Sequence, residues 1–194
     1  MREIWKQQAW VVLATGLAVL TNLGTARLWD EDEPKNATCA SEMLSRGDWI
    51  VPTFNGELRT DKPILLYWCM IPIYHLLGVT ELSARLTSAV CGLGTALLAY
   101  HLGRRLFRPE VGLWAGVLLG TSLMFDVASR AATPDALLIF FSTLALCFFV
   151  EGSVTGQADA AVDREGQPRI RGLPTRWFTY FLMYGAMAMA VLAK

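Results

Sequence analysis

The sequence predicts an all-α polytopic membrane protein of about five transmembrane helices, with two further amphipathic surface helices in its first outer loop. Of its 194 residues, 54% are hydrophobic and only 18% are charged, a balance more apolar than that of an ordinary soluble domain. The net charge of zero hides a clustering, because nearly all the charges fall in a few segments between long apolar stretches. Those stretches approach or reach the roughly 17 to 25 residues that a membrane helix needs.

The first stretch, Trp10–Leu23, follows a short head carrying Arg2 and Lys6, and no small-residue A-x-A site closes it as a cleaved signal peptide would. Four later spans follow at Leu82–Leu102, Val111–Ala128, Ala136–Val150 and Trp177–Ala193. Lys and Arg in short loops favour the cytoplasmic side. Arg2 and Lys6 therefore put the amino terminus inside, together with the turn holding Arg104, Arg105 and Arg108 and the loop holding Arg164, Arg169, Arg171 and Arg176. Parity then decides Ile64–Leu77, a short apolar segment interrupted by Pro72: as a span it would force the Arg104 cluster outside, so it lies along or dips into the outer interface. The loop of about residues 25–81 is outer and net acidic, and that of about 151–176 is flexible and cytoplasmic.

Within the outer loop, Asp32 reads as an N-cap with Pro34 in the first turn, and the helix runs to Arg46 with Gly47 as its stop. A second helix starts near Asp61 and Pro63. Met43, Leu44, Trp49, Tyr67 and Trp68 are expected to anchor both helices at the interface.

Several classes of chemistry find no support. Cys39, Cys69, Cys91 and Cys147 have no CxxC spacing, His75 and His101 stand singly on apolar helices, and no HExxH or Gly-rich phosphate loop occurs. Three features remain. Asp32, in the acidic run from Trp29 to Pro34, sits where a helix amino terminus would hold it ionised as a general base, or it is simply part of a solvated loop. Lys62 stands at the start of the second surface helix, where the dipole disfavours a cation, so it is either a phosphate contact or a snorkelling residue. Arg130, in the outer turn before Asp135, invites a partner such as Asp126, Asp135 or a lipid phosphate.

Read in order, Asp32-Glu33-Pro34-Lys35, Ser41-Glu42-Met43-Leu44, Gly47-Asp48-Trp49-Ile50-Val51-Pro52, Asn55-Gly56, Asp61-Lys62-Pro63 and Arg130-Ala131-Ala132-Thr133-Pro134-Asp135 resemble a known family. They are similar to the amino-terminal part of the aminoarabinose transferase and protein O-mannosyltransferase superfamily, the membrane-embedded GT-C glycosyltransferases. The resemblance implies transfer of a sugar from a polyprenyl-phosphate carrier to a lipid, glycan or protein acceptor at the outer face, with inversion, and lipid A modification among the family's roles. It implies Asp32 as the catalytic aspartate with Glu33 beside it. Lys62 would meet the carrier phosphate, with Lys35, Arg130 and Lys194 as further substrate-binding positions. Asn36 departs from a common tyrosine. Asp61 replaces a glutamate that helps hold zinc in some members; the other expected ligand would lie beyond residue 194, so within this sequence a divalent metal would rest on Asp61, and no other cofactor is expected.

By the same resemblance, residues 1–194 form the amino-terminal part of a GT-C domain whose remaining spans and soluble outer domain are absent. The expected setting is a bacterial inner membrane with the site on the periplasmic side. The expected partners are the donor, the acceptor and membrane lipids, with no nucleic acid. A transporter or flippase-like handler of a lipid-linked anion, or a truncated non-catalytic remnant, are the rival readings.

Overall fold

The computed structural model describes residues 2–29, 31–158 and 177–194. Among them, eight helices follow one another: α1 (Arg2–Leu20), α2 (Asp32–Arg46), α3 (Leu65–Leu77), α4 (Glu81–Leu106), α5 (Pro109–Gly120), α6 (Leu123–Arg130), α7 (Asp135–Ala158) and α8 (Trp177–Ala193). A two-stranded antiparallel hairpin, β1 (Thr53–Phe54) and β2 (Glu57–Leu58), is inserted between α2 and α3. Its turn residues Asn55 and Gly56 both have positive φ, 54° and 81°, the conformation that an Asn-Gly pair adopts most easily in a tight hairpin.

Each of the five expected spans corresponds to one helix or, in the third, to a helix pair. By length and composition α4 and the Asp135–Gly152 part of α7 are able to cross a membrane. α5 and α6 make a third if taken as one span, bent by 62° at Thr121–Ser122. α8 is a shorter apolar helix, and α1 starts earlier than expected, its first two turns carrying Glu3 and Lys6 in an ion pair. α7 runs on to Ala158, into the segment expected to be loop. The rest of that loop, including Arg164, Arg169, Arg171 and Arg176, lies outside the described residues.

Glycines set how closely the spans pack. A Cβ on Gly112 would lie 2.5 Å from the Tyr100 carbonyl oxygen, and one on Gly103 would lie 2.8 Å from the Gly112 Cα, so α4 and α5 meet backbone to backbone. Gly120 likewise admits Thr15 of α1, and Gly92 admits Ser129 of α6.

Two clusters of side-chain contacts mark the ends of the bundle. At one, the Tyr100 hydroxyl reaches Gln7, and His101 and Arg105 both bond Glu151. At the other, the carboxyl end of α1, the amino ends of α4 and α7 and Lys194, just after α8, gather around α2 and α3.

The helices α2 and α3 differ from expectation in how they are held. α2 runs over the expected residues and stops in a Schellman arrangement, with Gly47 at φ 66° and the Gly47 and Asp48 N–H groups donating to Leu44 and Met43 carbonyls. Asp32, however, is the first helical residue. The cap position falls to Glu31, which makes no capping bond. Met43 and Tyr67 are fully buried with Cys39, Ala40, Leu66, Met70 and Ile71, so they are core residues and not interface anchors. The apolar faces of α2 and α3 satisfy each other and the bundle. Trp49 and Trp68 remain at the surface, where the Trp68 indole N–H donates to the Trp49 carbonyl at 2.6 Å.

Close helix packing predicts a contrast between two glycines. Gly112→Val should lower stability in detergent by about 3 kcal/mol or more, because backbone cannot move aside. Gly16→Ala, whose Cβ would meet nothing within 4 Å, should be neutral or stabilising by up to about 1 kcal/mol. Thermal unfolding of both variants checks this.

Candidate active site

The site is built on a buried ion pair. Glu33, on the second residue of α2, is fully buried, and Arg85, in the second turn of α4, is 4% exposed. Arg85 grips the carboxylate with two parallel bonds, Nε to Oε1 at 2.9 Å and Nη2 to Oε2 at 2.8 Å, the bidentate geometry that makes such pairs strong. The remaining lone pairs of Glu33 are used as well, by the Ala132 N–H at 2.7 Å and the Trp29 N–H at 3.1 Å. Arg85 in turn donates to the Leu23, Ala26 and Arg27 carbonyls. One pair therefore ties together the loop after α1, α2, α4 and the turn before α7.

A buried charge pair withstands its desolvation only when its hydrogen bonds are complete. Here they are. Burial pushes the Glu33 carboxyl up, but the Arg85 guanidinium and the Ala132 and Trp29 amides together hold it below the usual carboxylate value.

Asp32, the neighbour of Glu33, consequently cannot turn inward. It is 40% exposed, and its Oδ2 accepts from Lys62 Nζ at 3.0 Å. Its Oδ1 lies 3.9 Å from Arg59 Nη2. Arg59 is only 7% exposed, sits over the Phe54 ring at 5.9 Å and donates to Cys39 Sγ at 3.5 Å, while its Nε is buried without a hydrogen-bond partner. Two cations thus flank one open carboxylate.

The hairpin places Arg59, and Glu42 places the hairpin. Glu42 accepts from the Thr53 hydroxyl at 2.5 Å, the Asn55 N–H at 2.7 Å and the Gly56 N–H at 3.3 Å. The Thr53 hydroxyl chiefly, and the two amides, hold its pKa below the usual range. Upstream, Asp48 accepts from the Ile50 and Val51 amides at 2.9 and 3.2 Å, turning the chain into β1.

The structure distributes the other expected residues around this centre. Lys35 is ion-paired to Glu31 one turn back on the exposed side of α2. Lys194 bonds Asp135 at 2.5 Å, joining the end of α8 to the start of α7. Arg130 donates to the Ala18 and Thr21 carbonyls at 2.8 Å each, closing the end of α1, and lines a cleft of about 230 Å³ with Arg85, Asp126, Asn22 and Trp29. Asp61 is 77% exposed and faces Arg59 Nε at 3.7 Å. Among the described residues no group of three His, Cys, Asp or Glu side chains could hold a metal ion.

Arg59, Arg85 and Glu42 were not singled out from sequence. Arg85 carried a usable signal, since a charge inside a predicted span demands a buried partner. Arg59 carried none, because its burial depends on the hairpin.

The sequence model of the dolichyl-phosphate-mannose-protein mannosyltransferases matches residues 61–159. An uncharacterized protein of Aquifex aeolicus is 35% identical over 67% of this chain and 26% of its own length. The undecaprenyl phosphate-alpha-4-amino-4-deoxy-L-arabinose arabinosyl transferase of Yersinia enterocolitica is 28% identical over 94% of this chain and 32% of its own. The crystal structure of ArnT from Cupriavidus metallidurans bound to undecaprenyl phosphate superimposes with a TM-score of 0.79 at 28% identity, over 96% of this chain and 32% of that one. The chain spans about a third or less of the length of these relatives.

The depressed Glu33 pKa sets an acid limit on the fold. The unfolded chain takes up this proton at about 4.3, so the stabilisation is complete above that pH and is lost as pH falls through the lower folded value. Glu33→Gln should be destabilised at pH 7 by about 3 kcal/mol and should lose less on acidification than the parent. Unfolding temperatures between pH 7 and pH 3 measure both effects.

Proposed function

The chain belongs to the dolichyl-phosphate-mannose-protein mannosyltransferase family, and on that premise we propose that it forms the amino-terminal part of a GT-C glycosyltransferase. The enzyme moves a sugar from a polyprenyl-phosphate carrier to a lipid, glycan or protein acceptor at the outer face of the membrane, with inversion. The observation that carries this reading is the exposed Asp32 carboxylate, held beside Lys62 and Arg59 by a neighbour locked in the core.

The chemistry follows from that arrangement. An acceptor hydroxyl oxygen attacks the anomeric carbon, its proton passes to Asp32, and the bond from that carbon to the phosphate oxygen breaks with the electron pair leaving on the phosphate. Lys62 exchanges its contact with Asp32 for the carrier phosphate and neutralises the charge that develops there. The same exchange frees Asp32 to accept the proton. Arg59, almost buried and short of one hydrogen bond, keeps a fixed positive charge on the other side of Asp32. A phosphate acceptor would need no base. Glu33 acts here as a positioning residue, and Lys35, Arg130 and Lys194 complete the cationic surroundings in which a lipid phosphate settles.

The amino terminus lies in the cytoplasm and the α2–α3 region outside. Lys6, Arg104, Arg105 and Arg108 belong to one end of the bundle, while the acidic outer loop belongs to the other.

Transfer of radiolabelled sugar from polyprenyl-phosphate donors to membrane acceptors tests this in the full-length protein. Asp32→Asn should lower the transfer rate by at least about a hundredfold with membrane insertion unchanged. Lys62→Met should weaken donor phosphate binding by about tenfold or more. A variant at Asp32 as active as its parent would remove the base from this mechanism, and donor binding without any transfer would favour a transporter.

A further inference from the structure

At the end of the bundle away from Asp32, the mouth of the seam between α1, α4 and α5 carries positive charge that the described residues do not balance. Arg104 is half-buried there, its guanidinium carbon 5.8 Å from the centre of the Tyr100 ring. Its backbone is pressed against α5, since a Cβ on Gly112 would lie 2.7 Å from the Arg104 nitrogen. The Nε of Arg104 is sealed without a hydrogen bond, which leaves the two Nη groups to meet a ligand. They reach the surface and make no hydrogen bond or ion pair among the described residues.

The neighbouring charges are disposed differently. Lys6 pairs with Glu3, and Glu151 takes both Arg105 and His101. Arg108 is exposed and, like Arg104, has no carboxylate partner among the described residues. Its carbonyl accepts from the Gly112 N–H at 3.1 Å, so both arginines stand within one turn of the same glycine. Glu110 is two positions before Gly112 on α5, about 200° around the helix, and therefore points away from α4.

Depth identifies the partner. Val11 meets Gly116 and Thr15 meets Gly120, so α1 and α5 run side by side and bring Trp10 and Trp114 to nearly the same height. Both indoles are exposed, as are Trp5 and Phe107. Such a belt of aromatic side chains marks the boundary between headgroups and hydrocarbon, and Gly112 is only half a turn from Trp114. An unpaired guanidinium at that depth is costly. A phosphate offers the paired acceptors that the guanidinium fork requires.

We propose that this mouth binds the headgroup of an anionic phospholipid, with its phosphate between Arg104 and Arg108 and its acyl chains against Trp10 and Trp114. A zwitterionic headgroup would bring its own cation towards two arginines and is disfavoured. The site is separate from the Asp32 centre and does not depend on the glycosyltransferase reading.

The test uses the full-length protein, stripped of lipid in a neutral detergent and titrated with phosphatidylglycerol or, as a chain-matched control, phosphatidylcholine. Native mass spectrometry reads bound lipid, and thermal unfolding reads the stabilisation that a ligand of the folded state confers. The parent should bind phosphatidylglycerol at least about fivefold more tightly than the control and unfold at a higher temperature with it. Arg104→Gln and Arg108→Gln should each weaken that binding by about fivefold or more, with the lipid-free unfolding temperature within a few degrees of the parent's. Arg105→Gln removes the same charge from a guanidinium already held by Glu151 and should change binding by less than about twofold. Equal binding of the two lipids, parent-like affinity in Arg104→Gln, or an equal loss in all three variants, the mark of diffuse attraction, would overturn the site.

Discussion

The buried pair between Glu33 and Arg85 is the constraint from which the rest of the structure follows. An uncompensated charge in the interior of a membrane protein is among the costliest errors a fold can contain. The two residues are separated by 52 positions in sequence, and each alone would be such an error. Together, with the Ala132 and Trp29 amides on one side and three carbonyls on the other, they form a closed set of bonds. Satisfying it obliges four segments to meet at one end of the bundle.

That meeting explains why the Asp32 carboxylate is exposed where it is. Glu33 points into the core, so the adjacent Asp32 points out of it, and α2 cannot rotate without breaking the pair. Glu42, two and a half turns along the same helix, holds the hairpin that carries Arg59. Lys62 follows immediately before α3, whose Tyr67, Met70 and Ile71 are buried against the Met43 face of α2. Rigid packing beneath an open carboxylate is the arrangement expected of a pre-organised site.

Much of this was legible from residue order and composition. The helix periods, Gly47 as a stop and the boundaries of α8 follow from local chemistry, and local chemistry is what a single sequence displays. The burial of Met43 and Tyr67 was not legible, because an amphipathic helix looks the same whether its apolar face meets lipid or another helix. Arg59 and Glu42 escaped notice for a related reason: each acquires its role from a hairpin two residues wide on each side, too short to show a period. The bend between α5 and α6, at Thr121–Ser122, has no Pro to announce it. The bonds of Arg130 to the end of α1 were not legible either, because tertiary packing alone sets them.

The most direct test of this account is a double-mutant cycle on Glu33→Gln and Arg85→Leu, read as unfolding free energy in detergent. If the closed pair governs the fold, each single change costs about 3–5 kcal/mol and the double variant is little worse than either, leaving a coupling of more than about 2 kcal/mol. Additive effects would show that the two side chains stabilise the structure independently, and the explanation offered for the orientation of Asp32 would fall with them.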